Sequence, residues 1–197
     1  MKLKIKKYSN FLLDYTNINF LNFISKKNVV LDIGCGEGEF LAKLAQLYPK
    51  KQFLGIEIKY GRIMKCVKKC DSLRLRNLKF VICDANIFID KILPNSSLNK
   101  VFINNPDPWP KDRHKKNRIL RDSFLNIIYQ RLKRKGNLYI KTDSKKYYNF
   151  LQDNIKKTRF ELDNSSNKFD NSLEYTKFQE FYKKNNKKIY SVKFKKK

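Results

Sequence analysis

The sequence predicts an α/β fold, a mainly parallel sheet with helices on both faces. Three observations predict it. Short apolar segments alternate with amphipathic ones along most of the 197 residues. The short segments are rich in Val, Ile, Leu and Phe, as strands buried on both faces require. A glycine-rich loop, Gly34-Cys35-Gly36-Glu37-Gly38, follows the first of them, at the position where such sheets bind ligands.

The elements follow in order. A basic helix is expected around Phe11 to Ile24, inside an N-terminal extension of residues 1–27 that precedes a domain at residues 28–197. Val29 to Ile33 reads as a buried strand. Glu37 to Tyr48 reads as a helix, with Phe40, Leu41, Leu44, Ala45 and Leu47 on helical spacing and Pro49 ending it. Phe53 to Ile58 is a second strand and Gly61 to Cys70 a second helix. Leu78 to Cys83 is a third strand and Ala85 to Ile92 a short helix. Lys100 to Asn105 is a fourth strand. Arg118 to Leu132 carries Ile119, Leu120, Phe124, Ile127 and Ile128 on one face and reads as a helix broken by Lys135-Gly136. Asn137 to Thr142 is a fifth strand. Ser144 caps a helix over Lys145 to Lys156. Phe160 to Leu162 and Ile189 to Phe194 are late strands, separated by a polar loop from Asp163 to Asn171.

The length suits one domain with a substantial core. A hydrophobic fraction of 41% with 14% aromatics excludes a disordered chain. The balance of 45 Lys+Arg against 18 Asp+Glu gives +27, which favours a polyanionic partner through counterion release. Abundant Lys, Asn, Ile, Phe and Tyr also match the codon choice of an AT-rich genome, so charge alone does not establish nucleic-acid binding. Cys35, Cys66, Cys70 and Cys83 form no CxxC pair, and His114 is the single histidine. A zinc site is not expected, and the thiols read as reduced. No apolar run is long enough to span a membrane and no cleavable leader is visible, so a cytoplasmic location is expected.

Two constellations carry chemistry. In the first, Asp32 closes a strand ahead of Gly34, Gly36 and Gly38. Glycines let a ligand approach the backbone, and the helix end beyond favours partial negative charge. The GxGxG spacing behind an acid differs from the GxGxxG of pyrophosphate loops. An acid there repels a pyrophosphate and attracts a cation, which favours S-adenosylmethionine over NAD. Glu57 ends the second strand, where an acid accepts hydrogen bonds from both ribose hydroxyls. Asp84 ends the third, where an acid can accept from the adenine amino group. Any one such acid could simply cap a helix. Three in succession along one sheet edge mark a ligand site.

The second is Ile103-Asn104-Asn105-Pro106-Asp107-Pro108-Trp109-Pro110-Lys111. Pro106, Pro108 and Pro110 fix φ and remove three donors, so the turn is stiff and neither extends a sheet nor starts a helix. Asp107 closes the fourth strand. Arg113, His114, Lys115, Lys116, Arg118 and Arg121 follow it, either as a solvated face or as phosphate contacts. Trp109 is a core residue or a base-stacking platform. Asp143 ends the fifth strand with a further acid.

Taken together, LDIGCGEGEF, FLGIEI, CDAN, NPDPWPKDRHKKNRIL, IKTD and TKF, in this order, resemble the tRNA (guanine-N7)-methyltransferase family. The resemblance spans roughly Val29 to Phe194. It implies a single-domain, Rossmann-like class I methyltransferase fold with a mainly parallel seven-stranded sheet. It implies S-adenosyl-L-methionine as cofactor, contacted by Asp32, Gly34, Gly36, Glu57, Asp84 and Asp107. It implies substrate contacts at Lys111, Asp143, Thr176, Lys177, Phe178 and Gln179, with Asp107 catalytic and no metal. The implied substrate is the variable-loop guanosine at tRNA position 46. No obligatory protein partner is expected, and the chain would act as a monomer or homodimer. Where the family carries an acid after T-x-(F/Y), this chain has Gln179 followed by Glu180. The acidic contact therefore shifts by one residue or is lost. An amino-methyltransferase acting on another RNA or DNA, and a non-catalytic RNA-binding relative, are the competing readings.

Overall fold

Five consecutive buried residues, Val29–Ile33, make the first strand, β1. The computed structural model describes residues 10–25, 28–165 and 188–197. It divides into two compact units, Met1–Leu93 and Pro94–Lys197.

In the first unit, α1 (Ile18–Ile24) is capped by the Asn17 side chain and buries Phe20, Phe23 and Ile24. After β1 come α2 (Glu39–Leu47), β2 (Gln52–Glu57), α3 (Tyr60–Ser72), β3 (Leu78–Ile82) and a short turn of helix, α4 (Ala85–Ile87). A π-turn over Phe88–Ile92 continues α4. The strands β1 and β2 run parallel, as do β2 and β3. Their apolar residues, Phe53, Leu54, Ile56, Phe80 and all but Asp32 of β1, pack with Phe40, Leu41 and Leu44 of α2 and Ile63 and Val67 of α3 among the buried core. Burial of each large side chain contributes about 1.5–3 kcal/mol.

In the second unit, β4 (Leu98–Asn104) precedes the proline turn, a 3-10 helix (Asp112–Asn117), α5 (Asp122–Arg131), β5 (Leu132–Thr142), α6 (Lys145–Ile155), β6 (Glu161–Leu162) and β7 (Tyr190–Lys195). The strands β4 and β5 are parallel, and β7 pairs antiparallel with both β5 and β6. Ser144 caps α6 as expected, its hydroxyl accepting from the Tyr147 amide.

Several expected boundaries move, each for a physical reason. Residues 11–13 are extended rather than helical, because Phe11 and Leu13 exchange backbone hydrogen bonds with Phe80 of β3. The second helical segment starts at Glu39, not Glu37, because the chain is still left-handed at Gly38. The helix expected from Arg118 starts at Asp122, and Lys135-Gly136 sits inside β5 rather than ending a helix. Lys135 takes φ 62° there, and a Cβ on Gly136 would stand 2.8 Å from the Lys133 carbonyl oxygen. A breaker dipeptide has become a strand irregularity. The fourth strand ends at Asn104, so Asp107 does not close it but stands three residues out in the turn.

Candidate active site

The glycine loop is held by its neighbours on β2. The amides of Gly34 and Cys35 both donate to the Ile56 carbonyl, at 2.9 and 3.0 Å. Gly34 and Gly36 take φ of +73° and +58°, and a Cβ on either would meet nothing within 4 Å. Their glycine identity therefore leaves backbone open to a ligand. Gly38 answers a different need. A Cβ there would crowd Cys66, whose thiol donates to the Gly36 carbonyl at 3.2 Å. Burial and the hydrogen bond to Cys66 push the Cys35 thiol well above its ordinary pKa, Cys66 being the larger cause.

The parallel register carries the three acids to one edge. Asp32 pairs with Gly55, two residues before Glu57, and Glu57 pairs with Ile82, two residues before Asp84. Asp32 and Glu57 are buried, at 3% and 6% exposure. Glu57 Oε1 accepts from the Lys59 amide at 3.0 Å, and Oε2 lies 3.5 Å from Arg62 Nη1. Asp84 is indeed a helix cap: its Oδ1 accepts from the amides of Asn86 and Ile87 at 2.8 and 3.2 Å. Capping engages one oxygen of the carboxylate and is compatible with a ligand at the other. These residues fit S-adenosylmethionine, which needs carboxylates for its hydroxyls and amino groups and bare backbone for close approach.

In the second unit, the proline turn leaves β4 at Asn105, whose φ is 47° and whose amide donates to the Lys141 carbonyl at 2.8 Å. The Asn105 Oδ1 is buried with no hydrogen-bond donor among the described residues. Asp107 and Lys111 are exposed, and so is Asp143 between β5 and α6. Trp109 resolves as a surface ring, 36% exposed, with His114 edge-on at 5.5 Å. Lys146 of α6 donates to the Pro110 carbonyl at 3.1 Å, so the turn is tied to the helix that begins just after Asp143. Thr176, Lys177, Phe178, Gln179 and Glu180 lie outside the described residues.

The reading of residues alone missed Arg118. It is 2% exposed and donates to the carbonyls of Pro108 and Trp109. Three prolines in five residues were the available signal, because they strip a turn of its own donors.

Residues 26–192 match the Methyltransf_4 family model, "Putative methyltransferase". A tRNA (guanine-N(7)-)-methyltransferase of Buchnera aphidicola is 40% identical over 156 residues, covering 77% of this chain and 65% of the relative. One of Mycoplasma pneumoniae is 36% identical over 146 residues, covering 73% and 69%. The chain thus spans about two thirds of the length of these relatives. The crystal structure of the 16S rRNA methyltransferase KamB aligns with a TM-score of 0.67 at 13% identity, covering 93% of this chain and 94% of that one. That likeness bears out the α/β class I methyltransferase fold expected from the sequence.

Proposed function

The chain belongs to the tRNA (guanine-N(7)-)-methyltransferase family, and from that premise we propose that it methylates N7 of the variable-loop guanosine of tRNA. The observation that carries the reading is the edge of the first unit, where Asp32, Glu57 and Asp84 follow one another beside the bare backbone of Gly34 and Gly36. S-adenosyl-L-methionine, when bound, supplies an electrophilic methyl group on a sulfonium. Glu57 would accept from the ribose hydroxyls, Asp84 from the adenine amino group through Oδ2, and Asp32 would attract the amino group. The family resemblance implies a cofactor contact for Asp107 as well.

Guanine N7 has a lone pair and no proton, so the nucleophile needs no general base. Catalysis then rests on orientation, which can supply roughly 7–11 kcal/mol. Asp107, with Asp143, orients the guanine through its N1–H and N2 amino groups and balances the positive charge that develops on the ring. Lys111 and the Thr176 to Gln179 segment contact the tRNA. The excess of 27 positive charges draws its phosphates. The activity is cytoplasmic on this reading and needs no partner subunit, the chain acting as a monomer or homodimer around a domain at residues 28–197.

A tRNA carrying 7-deazaguanosine at the variable-loop position tests the reaction. It should bind as well as ordinary tRNA and accept no methyl group. Methylation of the deaza substrate at undiminished rate would place the reaction on another atom.

A further inference from the structure

We propose that Arg118 is the positioning residue of the Asp107 turn, a clamp that presents this carboxylate and Lys111 to the substrate. The turn cannot hold itself. Pro106, Pro108 and Pro110 have no N–H, so the carbonyls of the segment have few local donors. Trp109 takes φ 42°, a left-handed conformation that aromatic residues rarely adopt. Something outside the turn must fix it there.

Arg118 supplies the missing donors. Its Nε lies 3.1 Å from the Pro108 oxygen and 3.3 Å from the Trp109 oxygen, and its Nη2 lies 3.0 Å from the latter. A guanidinium presents its donors as a rigid fork, so two adjacent carbonyls fix it in a single pose. Its own amide donates to the Lys115 carbonyl at 3.1 Å, closing the 3-10 helix. One residue therefore secures both ends of the segment from Pro108 to Arg118. Behind it lies an aromatic wall from α6. The guanidinium carbon sits 5.0 Å from the Phe150 ring centre and 6.0 Å from that of Tyr147. Those rings are stacked at 5.9 Å and 9°. The Tyr147 hydroxyl in turn accepts from the Leu120 amide at 3.3 Å, which keeps residues 118–121 out of α5 and aims the arginine inward. With Lys146 on the Pro110 oxygen, three successive carbonyls are held by two cations. Such a buried charge costs desolvation, and its partners here are all on the turn or the wall behind it.

The inference rests on the proposed methyl transfer only for its kinetic arm. Trp109 is the single tryptophan of the chain, so its fluorescence reports the turn itself. The test compares Arg118→Lys, which keeps the charge but loses the fork, with Phe150→Leu and Lys146→Met, which leave the arginine in place. The expected result is faster acrylamide quenching and lower anisotropy of Trp109 in Arg118→Lys, about twofold or more in the quenching constant. The far-UV dichroism should be unchanged. The turnover number should fall about 10- to 100-fold. The other two variants should shift both readouts in the same direction by less. Should Arg118→Lys not fold, those two carry the test. An unchanged Trp109 signal in the folded variants overturns the clamp, and so does a loosened turn with full turnover. If the parent chain methylates no tRNA but Trp109 still loosens, the functional reading fails and the clamp stands as architecture.

Discussion

A Cβ placed on Gly38 would stand 2.8 Å from the Sγ of Cys66, closer than real Cβ atoms come. Gly38 is also left-handed, at φ +70°. The two constraints separate experimentally. Gly36→Ala meets only the conformational cost, about 1–2 kcal/mol, because its Cβ would point into open space. Gly38→Ala should cost more in urea unfolding, and adding Cys66→Ala should recover part of the loss. Additive effects in that double-mutant cycle would contradict the contact. Cofactor affinity should respond in the opposite order, Gly36→Ala being the more damaging.

Glu57→Gln isolates the charge at the end of β2. The Lys59 amide can still donate to the side chain, so stability should change little. A ribose hydroxyl loses a charged acceptor, worth about 1.5–3 kcal/mol, so calorimetry should show S-adenosylmethionine binding weakened roughly 10- to 100-fold. Unchanged affinity would remove Glu57 from the site.

Asp107→Asn should leave the fold intact, since an exposed side chain outside special contacts changes stability by about 0.5 kcal/mol or less. Turnover should drop about 10²- to 10³-fold if the carboxylate balances charge on the reacting base. Binding of tRNA, measured by filter retention, should persist. Full turnover in Asp107→Asn would exclude the assigned role.

The chain should lose stability in alkali by an identifiable route. Burial, opposed by the Leu120 and Ile119 amides, pushes Tyr147 from 10.0 up to about 12. Burial also pushes Cys70 from 9.0 up to about 12. Folded pKa values above the unfolded ones mean that the native state holds protons the unfolded state releases. Stability is therefore complete below about pH 9 and falls as pH rises toward 12. Urea midpoints measured between pH 8 and pH 11 should decline, and Cys70→Ala should flatten the early part of the decline. A flat profile in the parent would contradict the burial of both groups.

The strands were legible because burial on both faces writes itself as largely apolar runs. Val29 to Ile33 was recognised without tertiary information, and Leu78 to Cys83 ran one residue past the observed end at Ile82. The acids at Asp32, Glu57 and Asp84 were legible because each stands at or just past the C-terminal end of such a strand. The start of α5 was not. Ile119 and Leu120 share the helical spacing of Phe124 and Ile128, yet the Leu120 amide bonds to a tyrosine 27 residues away. Spacing cannot reveal a distant acceptor. Arg118 was hidden for a related reason: in a run of six lysines and arginines, a buried arginine and five surface cations look alike. Lys135-Gly136 misled because a left-handed residue ahead of a glycine ends a helix or kinks a strand equally well, and pairing with the end of β7 decides which. The Lys135 amide donates to the Lys196 carbonyl, and the Lys196 amide to the Gly136 carbonyl.

The most direct measurement is methyl transfer from labelled S-adenosylmethionine to unmodified tRNA, followed by digestion and nucleoside analysis. The labelled nucleoside should be 7-methylguanosine, mapped to the variable loop and lost in Asp107→Asn. Label in a methylated adenosine or cytidine, or no label in tRNA that demonstrably binds together with the cofactor, would contradict it.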